Sequence, residues 1–262
     1  MNEIVFNRHK NFRLITSGWG EGQPIDIATL LDSVILDFYS DLDNSRIPTK
    51  PVTVANSNVR VPQRNTPEII KLDGFDTIFL HTKDRLWSQY SYQFAHELCH
   101  HVVDSDFFGK LDQFGWLEES LCELASIYTI DKMSTTWLVR PPYPNWRDYS
   151  LSLKSYVDEI LNKEENKIEK RFCDWLGDNL PELTKDRYKR TENRIVAINL
   201  FKAFKDNPTL WQTIQYIKIV KVTEKMDLKE FICQWESALT DNLKSKFEMV
   251  EEILFGEKVC PR

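Results

Sequence analysis

Tyr92-Gln93-Phe94-Ala95-His96-Glu97-Leu98-Cys99-His100-His101 sets two histidines four residues apart, with a glutamate directly after the first. A helix advances about 100° per residue, so His96 and His100 stack on one face and can offer both imidazoles to one metal ion. Glu97 lies beside them, angled toward a water at that metal. Gln93, His96, Glu97, His100 and Asp104 form a polar stripe, and Phe94, Ala95, Leu98, Cys99, Val102 and Val103 cover the opposite side. This is the pattern of a buried amphipathic helix whose polar seam faces a cleft.

Two imidazoles leave zinc short of a ligand. Eighteen residues (101–118) separate His100 from Glu119, which lies in a second helical segment, Gly115-Trp116-Leu117-Glu118-Glu119-Ser120-Leu121-Cys122-Glu123. A carboxylate from Glu119 completes a two-His, one-Glu site with a fourth position open for water. Glu118, about a quarter-turn away, is the competing third ligand. The chemistry expected is hydrolysis by a water activated at one Zn2+ per chain, with Glu97 as general base. Cys99 and Cys122 read as core residues of the two helices, and His101 as an exposed neighbour.

The elements that must position these residues follow from periodicity and punctuation. Asp26 offers an N-cap for a helix over about 27–41, with Ile27, Leu30, Leu31, Val34 and Ile35 on its apolar stripe. Between Arg46 and Asp84, prolines break the chain, and Val52–Ala55, Glu68–Leu72 and Thr77–Thr82 read as strands of a small sheet. Helices are predicted near 88–103, 113–131, 150–176, 189–206, 208–222 and 227–254, the last capped by Asp227 with Glu230. Residues 1–24 read as irregular, and Gly18-Trp19-Gly20-Glu21-Gly22 as a flexible connection rather than a phosphate cradle. The class is α+β. The proline-rich stretch Arg140–Pro144 divides a mixed lobe, 1–140, from an all-helical C-terminal lobe, 141–262.

Composition narrows the partners. The chain has 262 residues and is 42% hydrophobic and 28% charged, ordinary for a folded protein with a sizeable core. Its net charge of −6 argues against a nucleic-acid partner. The basic run Lys185, Arg187, Lys189, Arg190 and Arg194 reads as a solvated helix face. Five cysteines without a CxxC pair read as reduced thiols. No apolar run approaches a membrane span, and the polar N-terminus lacks a signal-peptide pattern, so the expected compartment is the cytoplasm.

His96-Glu97-Leu98-Cys99-His100 followed by Trp116-Leu117-Glu118-Glu119 resembles the zinc signature of the gluzincin metallopeptidases, particularly their aminopeptidase branch. HELCHHVVD is similar to the active-site helix of thermolysin-like enzymes. The resemblance covers about residues 77–130. It implies a zincin-like lobe, made of a small mixed sheet, an active-site helix and a glutamate helix, followed by a helical lobe. It further implies Glu123 as an acid orienting one zinc histidine, and Ile78, Phe79 and Leu80 as an edge strand pairing with substrate, with His81 close by. By the same resemblance a tyrosine 60–70 residues beyond the glutamate stabilises the oxyanion; Tyr188 fits that interval, and Tyr143, Tyr149 and Tyr156 are alternatives. The G-x-M-E-N exopeptidase motif of the aminopeptidase branch is absent between Met1 and His96, so an endopeptidase or a narrow-target regulatory enzyme is implied at least as well. Two rivals stand beside peptide hydrolysis. One is a catalytically silent zincin-fold protein using zinc as a clamp, and the other hydrolyses a non-peptide ester or amide.

Overall fold

Alternation builds the sheet. Phe12 and Leu14, Val52 and Val54, and Ile78 and Leu80 turn inward from three neighbouring strands, with half-exposed residues between them. The computed structural model describes residues 2–42, 46–59, 65–103 and 113–261. Its strands are β1 (Glu3–Val5), β2 (Phe12–Ile15), β3 (Val52–Asn56), β4 (Glu68–Leu72) and β5 (Phe75–Leu80), in the order β1-β2-β3-β5-β4. β2, β3 and β5 run parallel, while β1 and β4 pair antiparallel on the two edges. The first two strands fall in the stretch read as irregular; they are too short to show a period of their own.

The helices are α1 (Pro24–Phe38), α2 (Trp87–Val103), α3 (Gly115–Thr136), α4 (Tyr149–Asn162), α5 (Phe172–Lys185), α6 (Arg190–Asp206), α7 (Leu228–Ser237) and α8 (Asp241–Phe255). α1 starts earlier than the Asp26 cap predicts, because Pro24 has its φ pre-set for the first helical turn. Among the described residues no helix is long and apolar enough to cross a membrane.

The chain forms two compact units, Met1–Cys99 with Ala125–Asp158 and His100–Leu124 with Glu159–Arg262. The division therefore passes through α2 and α3 and does not fall once near residue 140. In the first unit, α2 lays its apolar back on the sheet, with Phe94 edge-on to Phe12 at 6.3 Å. The corner leading into α2 is locked. Asp84 accepts the Glu21 amide on Oδ1 at 2.9 Å and donates its own N–H to the Trp19 carbonyl at 2.9 Å. Gly20 has φ +62°, and a Cβ there would lie 2.2 Å from Asp84 Oδ1. The glycine-rich segment is thus a close-packed brace, and glycine is required by backbone approach rather than by flexibility.

The second unit is helical around an aromatic core. Trp235 meets Phe247 at 4.7 Å, Phe204 meets Trp211 at 4.9 Å, and Phe114, just before α3, meets Phe231 at 4.3 Å. Two predicted long helices are broken here. Asn166 donates its side-chain amide to the Ile160 carbonyl, ending α4 well before α5 begins. Buried Leu239 turns inward between α7 and α8. The segment Pro208–Ile219 is 3-10 rather than α-helical, and its Thr213 carbonyl accepts the Trp235 indole N–H at 2.9 Å. Asp227 caps α7 as predicted, accepting the Glu230 amide.

The reading of all cysteines as reduced thiols is corrected: Cys233 and Cys260 form a disulfide across 27 residues. Buried Glu251 accepts the amides of Val259 and Cys260, at 2.8 and 3.0 Å, and so fixes the tail that carries Cys260 beside α7. Closing a loop of that length restricts the unfolded chain, so Cys260→Ser is expected to lower stability by about 3 kcal/mol. Urea unfolding of the variant beside oxidised wild type measures this. Coincident unfolding curves would contradict it.

Candidate metal centre

Helix α2 is continuous through His96, Glu97 and His100, so the local geometry expected of them is set by the helix itself. Ring nitrogens of His96 and His100 lie within 4.8 Å of one another. Glu97 is 2% exposed. Asp104, expected on the same stripe, lies outside the described residues. Gln93, also on that stripe, holds the chain entering α2: its side chain accepts from His81 N at 2.8 Å and donates to His81 O at 2.9 Å.

The centre is assembled around His100. Its Nδ1 bonds Glu118 Oε1 at 2.7 Å, while its Nε2 faces Glu119 Oε2 at 3.7 Å. The two adjacent glutamates, about a quarter-turn apart on α3, thus meet opposite nitrogens of one ring. An acceptor on Nδ1 holds the proton there and leaves the Nε2 lone pair for a metal. Glu118 is fully buried. The carboxylate on His100 Nδ1 is that of Glu118, whereas the resemblance implies Glu123 for one of the two histidines.

A buried carboxylate needs a partner, and Arg187 supplies it. Its Nη2 lies 2.9 Å from Glu118 Oε2 and 3.2 Å from Glu119 Oε1, so one guanidinium spans both acids. The Arg187 carbonyl accepts from Asn193 Nδ2 at 2.6 Å, and Asn193 Oδ1 accepts from Ser120 Oγ of α3 at 3.5 Å. Glu123 accepts from Arg194 Nε at 3.2 Å. Arg187 and Arg194 are therefore the inward members of a basic run that reads, from sequence, as a solvated face. The sequence signal for them was the set of acids at 118, 119 and 123 on an otherwise apolar helix, which had to find cations.

Tyr188 stands beside this network but outside it. Its ring is 69% exposed, with the Arg187 guanidinium 5.6 Å above it. Of the alternatives, the Tyr143 hydroxyl lies 3.2 Å from that of Thr29 and the Tyr149 hydroxyl 3.2 Å from that of Ser88, while Tyr156 packs its ring on Tyr92.

The expected substrate strand is corrected. β5 is interior, paired with β3 on one side and β4 on the other, with Phe79 opposite both Ala55 and Glu68. Leu80 is core. His81 has its backbone held by Gln93 and its Nδ1 bonded to Ser57 Oγ at 2.9 Å. Among the described residues no strand pairs with the outer side of β4.

Cys122, read as core, also reaches the centre: its Sγ lies within 4.8 Å of a His100 ring nitrogen. It is three residues from Glu119, which puts the two on one side of α3. A second donor group, Glu236, Glu251 and Cys260, is weaker as a metal site, because the Cys260 sulfur is in the disulfide and Glu251 holds the tail amides. Among the described residues the donor group that could hold a metal here is His96, His100 and Cys122, a set that fits zinc, with the outer nitrogen of His100 held by a carboxylate; Glu119 faces His100 Nε2 at 3.7 Å but is not a member of that group. Comparison of the chain with protein-family models, curated proteins and solved structures found no match.

Proposed function

We propose that this protein is a zinc-dependent peptidase of the gluzincin type, in which His96, His100 and Glu119 hold the metal and Glu97 is the general base. The observation that carries this reading is the division of the His100 ring between Glu118 and Glu119. It gives one glutamate an orienting part and leaves the other facing the nitrogen that binds metal. A five-stranded sheet with an antiparallel edge strand, then an HExxH helix and a glutamate helix, then further helices, is the order expected of a zincin-like lobe with a helical lobe after it.

Zinc at these residues would acidify a water and polarise the scissile carbonyl. Glu97 takes the proton from the attacking water and returns it to the leaving amine. Glu118 keeps the proton of His100 on Nδ1. Arg187 balances the charge of Glu118 and Glu119 and fixes their carboxylates against the ring. An extended substrate pairs its backbone with the open edge of β4, in place of β5. Tyr188 reaches a developing oxyanion only by turning its exposed ring inward, and it is assigned no step. The substrate class is a restricted set of peptides or proteins, with no nucleic-acid partner.

A second reading rests on Cys122. With Cys122 as a further ligand beside His96, His100 and Glu119, the centre is a closed zinc clamp with no water position, and the chain is a binding protein. Cleavage separates the two. Zinc-loaded protein incubated with a proteome-derived peptide library is expected to cut a minority of peptides at a shared residue preference, read by mass spectrometry. A zinc-loaded protein that leaves both the library and denatured proteins intact supports the clamp.

A further inference from the structure

The first unit carries a second feature that peptide hydrolysis does not use. A cavity of about 430 Å³ is walled by the turn between β1 and β2, one side of α1, and the segment Arg140–Tyr143. Three cationic side chains, Arg8, Lys10 and Arg140, stand in its wall, and Asp32 is the only carboxylate there among the described residues.

Asp32 does not neutralise these cations. It is 5% exposed and accepts the amides of Arg8 at 2.8 Å and His9 at 3.2 Å, while its Oδ1 pairs with His9 Nδ1 at 2.6 Å. Burial works to raise its pKa, but the bonds from His9 and from the Arg8 amide outweigh it and hold the carboxyl below its ordinary value. Its charge is thus directed at the backbone and ring that shape the turn. The side chains of Arg8 and Lys10 have no hydrogen-bonded or ion-paired acid among the described residues. Arg140 pairs with Asp37 at 3.8 Å, and the charge of Arg8 also acts on that carboxylate.

The rest of the wall is mixed. The Thr29 and Tyr143 hydroxyls, 3.2 Å apart, lie beside apolar Val5 and Ile25, both more than half exposed. In a chain of net charge −6, three cations stand around one small cavity with Asp37 as the acid near Arg8 and Arg140, and an anion of more than one charge between them would be favoured. Arginine forks match the oxygens of a phosphoryl group, and the hydroxyls and apolar rim suit an organic body attached to it.

We propose that this cavity, rimmed by Arg8, Lys10 and Arg140 on a turn held by Asp32, binds a small organic phosphate monoester. It is a ligand site separate from the candidate metal centre, and its assignment does not depend on peptidase activity.

Titration calorimetry of the full chain with phenyl phosphate, inorganic phosphate and phenol tests this. Phenyl phosphate is expected to bind once per chain and more tightly than inorganic phosphate, with phenol silent. In Arg8→Gln/Lys10→Gln, whose changed side chains are both exposed, affinity falls at least about tenfold while the melting temperature is unchanged. Three results overturn the proposal. One is no saturable heat with phenyl phosphate up to on the order of 10 mM. Another is equal affinity of wild type and the double variant. The last is inorganic phosphate binding as tightly as the ester, which leaves no part for the organic body.

Discussion

Glu97→Gln is expected to lower peptide hydrolysis by roughly 10²–10⁴-fold while leaving zinc content unchanged. Glutamine keeps the size and hydrogen-bonding reach of the side chain but cannot take a proton from the attacking water. Glu97 is not among the proposed ligands, so the metal should stay. The check is the cleavage rate of any peptide found in the library, with metal analysis on the same sample. Near wild-type cleavage would remove Glu97 from the mechanism. Loss of zinc together with activity would make it a ligand instead.

Glu118→Ala has the second large effect, and it falls on stability and metal affinity together. The fully buried carboxylate holds His100 Nδ1 on one oxygen and Arg187 on the other. Its removal leaves Arg187, whose side chain is 16% exposed, with Glu119 as the acid left to it in this pair. Breaking such a buried pair costs about 3 kcal/mol, read by urea unfolding of the metal-free protein. Loss of the acceptor on Nδ1 should weaken zinc about 10–100-fold, read by competition with a chelating dye. Unchanged zinc affinity would show that the Glu118 bond does not orient the ring. Complete loss of zinc in Glu118→Ala, with zinc retained in Glu119→Ala, would exchange the parts of the two acids.

The portion of the centre that could be read from sequence is the portion that one helix determines. Four-residue spacing brings His96 and His100 together in any α-helix, and the apolar back of the same segment announces that it is buried. Which acid faces which nitrogen could not be read that way. Glu118 and Glu119 differ by about 100° of rotation, and their orientation depends on Arg187, 69 residues beyond Glu118 in a run that looks like solvated surface. The interior position of β5 was hidden for another reason: Asp73-Gly74 reads as the turn that pairs it with β4, but no turn announces its parallel pairing with β3 on the other side. The Cys233–Cys260 bond depends on a buried glutamate gathering the tail amides, which no cysteine spacing announces. Helix class was legible over most of α1–α8, whereas their breaks were set by side-chain bonds such as that of Asn166 to Ile160.

Elemental analysis of the purified protein, wild type beside Glu119→Ala and Cys122→Ser, tests the metal assignment most directly. One zinc per chain is expected in the wild type and in Cys122→Ser, with loss or a sharp reduction in Glu119→Ala. A wild type that holds no zinc even after reconstitution would contradict the metal centre altogether. Zinc lost from Cys122→Ser but kept by Glu119→Ala would replace the open catalytic site with a thiolate clamp.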